Sequence, residues 1–174
     1  MLDDLGIKDD EKYVIVRFVS WNATHDIGHK GISYENKISA IKQFSEYAKV
    51  FISSEAELPD ELKKYKFPLS PDRMHDAMAF STMVFGESAT MVTEGVMLGV
   101  PGVYIDNTGR YYTRDIEAKY GLCFNYTESE EDQIKAIEKG VEILSNNIDF
   151  TAAHDKMMSE KIDVMGWLCE YVEN

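Results

Sequence analysis

The chain is poor in cysteine, in positive charge and in long apolar runs. It carries two cysteines in 174 residues, and 18 lysines and arginines against 31 aspartates and glutamates. No run of apolar residues approaches the roughly 20 that a bilayer-spanning helix needs. Each shortage excludes something. Cys123 and Cys169 have no metal-ligand spacing, so the expectation for each is a free buried thiol in a reducing compartment. The net charge of −13 argues against a general nucleic-acid binder, because phosphate backbones are held by Lys and Arg. It also argues against attraction to an anionic membrane surface. A local anion site stays open, since oriented backbone N–H groups bind phosphate without net positive charge. The start, MLDDLGIKDD, is acidic and polar, unlike a secretory signal, so a cytoplasmic location is expected. There is no internal repeat and no low-complexity tract. Nor is there the acidic pocket, with a phosphoacceptor and a lysine, that a receiver-like domain would need.

What is present is an alternation of short apolar runs and helical patterns. KYVIVRF (Lys12–Phe18), VFISS (Val50–Ser54), TMVFG (Thr82–Gly86), GVYID (Gly102–Asp106) and LCFNY read as buried strands, and KYKFPL is a candidate for one more. Between them, Ile38, Ile41, Phe44 and Ala48 recur at helical spacing behind Ser33 as N-cap, and Pro71 opens a further helix. Helices are also expected over about Ser88 to Leu98, Thr113 to Lys119 and Ser129 to Leu144. The last of these carries Ile134, Ile137, Val141 and Leu144 on one face. One or two closing helices follow from Ala152 to Val172. This order predicts an α/β fold: a single three-layer Rossmann-like domain over residues 1–174, with a mostly parallel sheet.

Such sheets bind ligands beyond the carboxyl ends of their strands. The loop after the first strand, VSWNATHDIGHKGIS, is long and polar, with Arg17 at its base and His25, Asp26 and His29 within it. It reads either as a ligand or inter-domain loop or as a surface loop whose His and Asp bond each other. The histidine cluster lacks a recognised metal spacing, and no metal or cofactor is expected. After the third main strand comes GESATMVTEGVMLGVPG (Gly86–Gly102). Ser88 or Thr90 can cap its helix and leave the first N–H groups to an anion. Glu94 shares a face with Thr90, where an acid can hold sugar hydroxyls. Gly95 and Gly99 would permit close packing on the sheet. The plainer reading is a capped core helix, with Met91 and Leu98 inward and Glu94 in water. Glu87 favours it, since an acid beside a phosphate repels it. His75 can reach the same crevice or stay at the surface. Arg110 and Arg114 can offer charge to a phosphate, or Arg114 can pair with Asp115 or Glu117.

The succession MHDAMAFSTMVFGESATMVTEGVMLGVPGVYID, followed by EAKYGLCF, resembles the carboxyl-terminal half of GT-B-fold nucleotide-sugar enzymes. It looks closest to an uncharacterised DUF354-type family related to UDP-N-acetylglucosamine 2-epimerases and to glycosyltransferases of surface-polysaccharide synthesis. VIVRFVSWNATHD resembles the start of that second domain. The likeness covers most of Lys12 to Tyr126. It implies a UDP-sugar or related nucleotide as ligand, with Gly86, Ser88, Ala89 and Thr90 at the diphosphate and Glu94 at the ribose hydroxyls. It places His75 near the site. Glu87 and Ala89 depart from the glycine-richer phosphate loop of the relatives. The resemblance also implies an amino-terminal Rossmann half, supplied in cis or in trans, without which the chain is catalytically poor. The alternative is a binding or assembly domain that keeps the fold without the chemistry.

Overall fold

YVIVRF, KVFISS, MVFG, GVYI and CFNY form the parallel strands of one sheet. In the computed structural model, which describes residues 1–8, 10–19 and 30–173, they are β1 (Tyr13–Phe18), β2 (Lys49–Ser54), β3 (Met83–Gly86), β4 (Gly102–Ile105) and β5 (Cys123–Tyr126). Their order in the sheet is β2-β1-β3-β4-β5. The helices are α1 (Tyr34–Phe44), α2 (Met74–Ala79), α3 (Ala89–Met97), α4 (Tyr111–Tyr120), α5 (Glu130–Asn146), α6 (Thr151–Ser159) and α7 (Val164–Glu173).

The strands read as unbroken apolar runs because both sheet faces are covered. Along β1, Tyr13 and Ile15 join a core with residues of α2, α3, α4 and α6, while Val14, Val16 and Phe18 join a second core with residues of α1 and α5. Val84 and Tyr104 continue the first, and Met83, Phe85, Val103 and Ile105 the second. This is the expected three-layer arrangement. The chain steps from β1 through α1 to β2, then returns across β1 to β3 before moving on to β4 and β5. Because parallel crossovers are right-handed, reversing direction moves the covering helices to the other face. The reversal point, between the carboxyl ends of β1 and β3, is where open α/β sheets form their ligand crevice.

Several local expectations change. KYKFPL does not become a strand: Ile52 and Lys66 make one isolated bridge, Phe67 N–H reaches the Ile52 carbonyl at 2.9 Å, and Pro68 has no N–H with which to extend a ladder. On α5 the buried face is Gln133, Ala136, Ile137, Gly140, Ile143 and Leu144, and Ile134 is exposed. The closing segment is two helices, of which α7 buries no residue. Leu98 is exposed, at the end of a helix that stops where Val100 N–H and Gly99 N–H bond back to the Gly95 and Val96 carbonyls. Gly99 therefore belongs to the stop, with His154 of α6 beside it, and Gly95 makes the close approach: a Cβ there would come within 2.7 Å of Val84 on β3.

The two thiols also differ. Cys123 is buried on β5, whereas Cys169 is exposed on α7, contrary to expectation. Burial, with the Glu117 charge adding to it, pushes the Cys123 thiol up to about 12. Only thiolates react readily, so a thiol alkylating agent near pH 8 should modify one cysteine per folded chain, at Cys169, and two after denaturation. Mass spectrometry of the labelled protein checks this.

Candidate active site

The crevice at the β1/β3 switch point is built on Gly86, the last residue of β3. It pairs in register with Arg17 on one side and Tyr104 on the other. Its φ is +146°, and a Cβ would overlap the Arg17 carbonyl oxygen and come within 2.9 Å of the Arg17 nitrogen. Only glycine fits this approach. The chain then turns from strand to helix within two residues.

Glu87, the first of these, does not face the crevice as a free charge. Its side chain is fully buried, where Val19 N–H donates to Oε2 at 2.7 Å and Ile32 N–H donates to Oε1 at 2.6 Å. Lys37 Nζ lies 3.6 Å from Oε1. Glu87 thus ties together both ends of the long connection from β1 to α1. Glu87 is therefore a partnered structural tie and not a free surface acid.

Ser88 is the N-cap of α3, its hydroxyl accepting from Met91 N–H at 3.3 Å, while its carbonyl accepts from Val92 N–H. The N–H groups of Ala89 and Thr90 have no acceptor among the described residues. Thr90 is exposed and Ala89 is buried, so from Ala89 the backbone alone is offered. Donors of this kind at the positive end of a helix are groups to which an anion can bind.

One turn further along α3, Glu94 meets His75 from α2, with Nε2 and Oε2 3.3 Å apart. A cleft of about 810 Å³ lies between the carboxyl end of β2, the stretch that follows it, and Met74 and Met91 of α2 and α3; neither His75 nor Glu94 lines it. It is lined on one side by Met74 and Met91, neighbours of His75 and Glu94, and elsewhere by Phe67, Leu69, Lys66 and Arg17. Arg17 donates from Nη1 to Ser53 Oγ at 2.9 Å and from Nη2 to Glu55 at 2.6 Å, and its buried Nε has no hydrogen-bond partner among the described residues. The guanidinium is thus fixed on the cleft wall by β2 and the loop that follows it.

Arg110 stands apart from these groups. It caps the start of α4 and binds Thr108 Oγ1 at 2.9 Å, the Gly109 carbonyl and, at 3.4 Å, the Asp106 carboxylate. Burial alone would raise the Asp106 carboxyl. Hydrogen bonds from Tyr104 and Thr108 and the charge of Arg110 outweigh it, so Asp106 lies below the usual carboxylate range. Arg114 does not pair with Asp115 or Glu117. It reaches the Thr108 carbonyl, and Asp115 pairs with Lys119. His25 lies outside the described residues, as do Asp26 and His29. Among the described residues no cluster of three His, Cys, Asp or Glu could hold a metal, and no helix is long and apolar enough to cross a membrane.

No family model and no curated protein matches the chain. Solved structures do match it. The spinosyn rhamnosyltransferase SpnG complexed with spinosyn aglycone superposes with a TM-score of 0.59 at 15% identity, over 94% of this chain and 46% of that one. The same enzyme complexed with thymidine diphosphate gives 0.57 at 16% identity, over 94% and 45%. A Listeria monocytogenes protein described as a UDP-N-acetylglucosamine 2-epimerase gives 0.57 at 18%, over 90% and 40%. The fold is that of about half a GT-B enzyme. At these identities the likeness is one of fold, and the chain spans less than half the length of the structures it matches.

Two parts of this site were not visible in the sequence. The role of Glu87 depends on donors 68 and 55 residues away. The cleft wall depends on a polar, proline-containing stretch folding over β2. The available signal was position: a lone acid directly after a buried strand, opposite a long connection.

Proposed function

We infer that the chain is the nucleotide-binding half of a nucleotide-sugar enzyme, epimerase-like or glycosyltransferase-like, with a UDP-sugar as its ligand. The observation that carries this is the pair of N–H groups at Ala89 and Thr90 with no acceptor among the described residues, set at the switch point, with the Glu94 carboxylate one turn away and a cleft of mixed polar and apolar lining that reaches Met91 of the same helix. A diphosphate would rest on the two N–H groups and on Ser88 and Thr90. A ribose would lie over Glu94, and a base would enter the cleft between the Phe67 and Met91 walls. Gly86 lets the backbone approach, and Arg17 and His75 frame the opening. Arg110 would face the ligand from the α4 side, with its charge already shared with Asp106.

In either chemistry the diphosphate leaves the sugar. Fixed N–H dipoles aimed at the developing charge stabilise that step without reorganising. Transfer to an acceptor, or re-addition after elimination, would use groups from a complementing Rossmann half in cis or in trans. Support for such a half comes from α7, whose Met165, Trp167, Leu168, Tyr171 and Val172 are all exposed, an apolar surface that no other described residue buries. The finer relationship to a DUF354-type family rests on the sequence resemblance over most of Lys12 to Tyr126 alone, as does a place in surface-polysaccharide synthesis. A cytoplasmic setting is part of the same proposal.

The test is calorimetric titration of the chain with UDP and UDP-N-acetylglucosamine. Glu94→Ala should weaken binding by about tenfold or more, the effect of losing hydrogen bonds to a charged acceptor. An unchanged affinity in that variant would show that Glu94 holds no ligand.

A further inference from the structure

Glu87 belongs to one part of the chain by its backbone and to another by its side chain. The backbone lies in the turn between β3 and α3, two residues before Ala89, and its N–H donates to the Arg17 carbonyl at 3.1 Å. The carboxylate accepts from Val19 N–H and Ile32 N–H, at the two ends of the β1–α1 connection. The side chain is fully buried, so it cannot swing into water while its close-packed surroundings stay in place. Neither end of the connection can draw back far alone. Val19 directly follows β1. Ile32 is buried, between Lys30 and Ser33, whose N–H groups are held by Glu128 and Gln133. The movement that parts them from Glu87 is then one of the turn itself, from Gly86 to Thr90.

We propose that Glu87 couples ligand occupancy at the start of α3 to both ends of the β1–α1 connection. This rests on the nucleotide reading above. The opening that frees Val19 and Ile32 from the carboxylate displaces the same turn that offers the Ala89 and Thr90 N–H groups. A phosphate held on those groups opposes it. A ligand that binds only the closed form makes opening rarer by one plus the ratio of free ligand to Kd, about tenfold at ten times Kd. Linkage makes the effect reciprocal: whatever holds the two ends of the connection closed favours the ligand by the same factor. Glu87 is thus a positioning residue that touches no ligand and relays its presence to a different segment of the chain.

The experiment is amide hydrogen exchange on the full chain, read by NMR at Val19 and Ile32, without UDP and at ten times the Kd that calorimetry gives. In wild type both amides should slow by about tenfold. Glu87→Gln presents a carbonyl oxygen to one end and an NH₂ to the other. The end that meets the NH₂ should exchange faster and lose most of its response to UDP. Amides of α7, which buries no residue, should not respond in either protein. The proposal is overturned if UDP leaves exchange at Val19 and Ile32 unchanged in wild type, a comparison that decides even where the variant does not fold. It is also overturned if Glu87→Gln keeps the full slowing at both amides. In both cases calorimetric binding of UDP leaves the nucleotide site itself standing. A wild type that binds no UDP removes both.

Discussion

Glu87→Ala should destabilise the protein by about 3 kcal/mol, a large fraction of the 5–15 kcal/mol typical of a domain. The carboxylate accepts from Ile32 N–H, which is buried, and from Val19 N–H, which is partly so. Removing it leaves two donors without acceptors, at about 1–3 kcal/mol each when water cannot replace the partner. Lys37 is 21% exposed and stacks over the Phe18 ring, so it can rehydrate and contributes less to the loss. Glu87→Gln keeps one carbonyl oxygen but turns an NH₂ toward a backbone donor, and should recover only part. Chemical denaturation of the three proteins checks the ranking. A Glu87→Ala variant within 1 kcal/mol of wild type would show that the connection between β1 and α1 is held by other means.

Gly86→Ala should be more severe, at about 4 kcal/mol or enough to prevent soluble expression. Two costs combine. A side chain at φ +146° is strained by about 1–3 kcal/mol wherever it occurs. Here the new methyl also overlaps the Arg17 carbonyl oxygen, a backbone atom inside the β1–β3 ladder. Neither strand can yield without breaking the register at the sheet's centre, and overpacking of this kind adds about 1–3 kcal/mol or more. By contrast Gly121, at a helix end with open space where a Cβ would stand, should tolerate alanine at a smaller cost. Thermal melts of the two variants separate the effects. If Gly86→Ala melts no lower than Gly121→Ala, the close approach of β3 to β1 is not as tight as described.

Much of this arrangement was legible in particular residues. The strands show as β-branched runs because a sheet covered on both faces needs no polar alternation. The limits of α3 show in Ser88 and in the Leu98–Gly99 stop, both local features of the chain. What was not legible depends on distant partners. Gln133 sits on the buried face of α5, though a hydrophobicity pattern assigns that place to Ile134. It does so because Ser33 N–H and the Asn36 amide donate to its carbonyl oxygen while its own NH₂ donates to the Glu128 carbonyl. A polar residue so fully bonded behaves as core. The partners of Glu87 were hidden for the same reason: its donors come from segments that the sequence does not place beside it. That Arg110 already engages its neighbours Asp106 and Thr108 was likewise not read from the sequence.

The anion site proposed at the start of α3 is the centre of the functional reading, and amide spectra of the ¹⁵N-labelled chain during titration with UDP test it most directly. The expected result is that the Ala89 and Thr90 amide resonances move first and furthest, because their N–H groups take the phosphate oxygens, while resonances on α5 stay in place. A folded chain in which Ala89 and Thr90 do not move at millimolar UDP, or in which the largest shifts lie away from the carboxyl ends of β1 and β3, would contradict it.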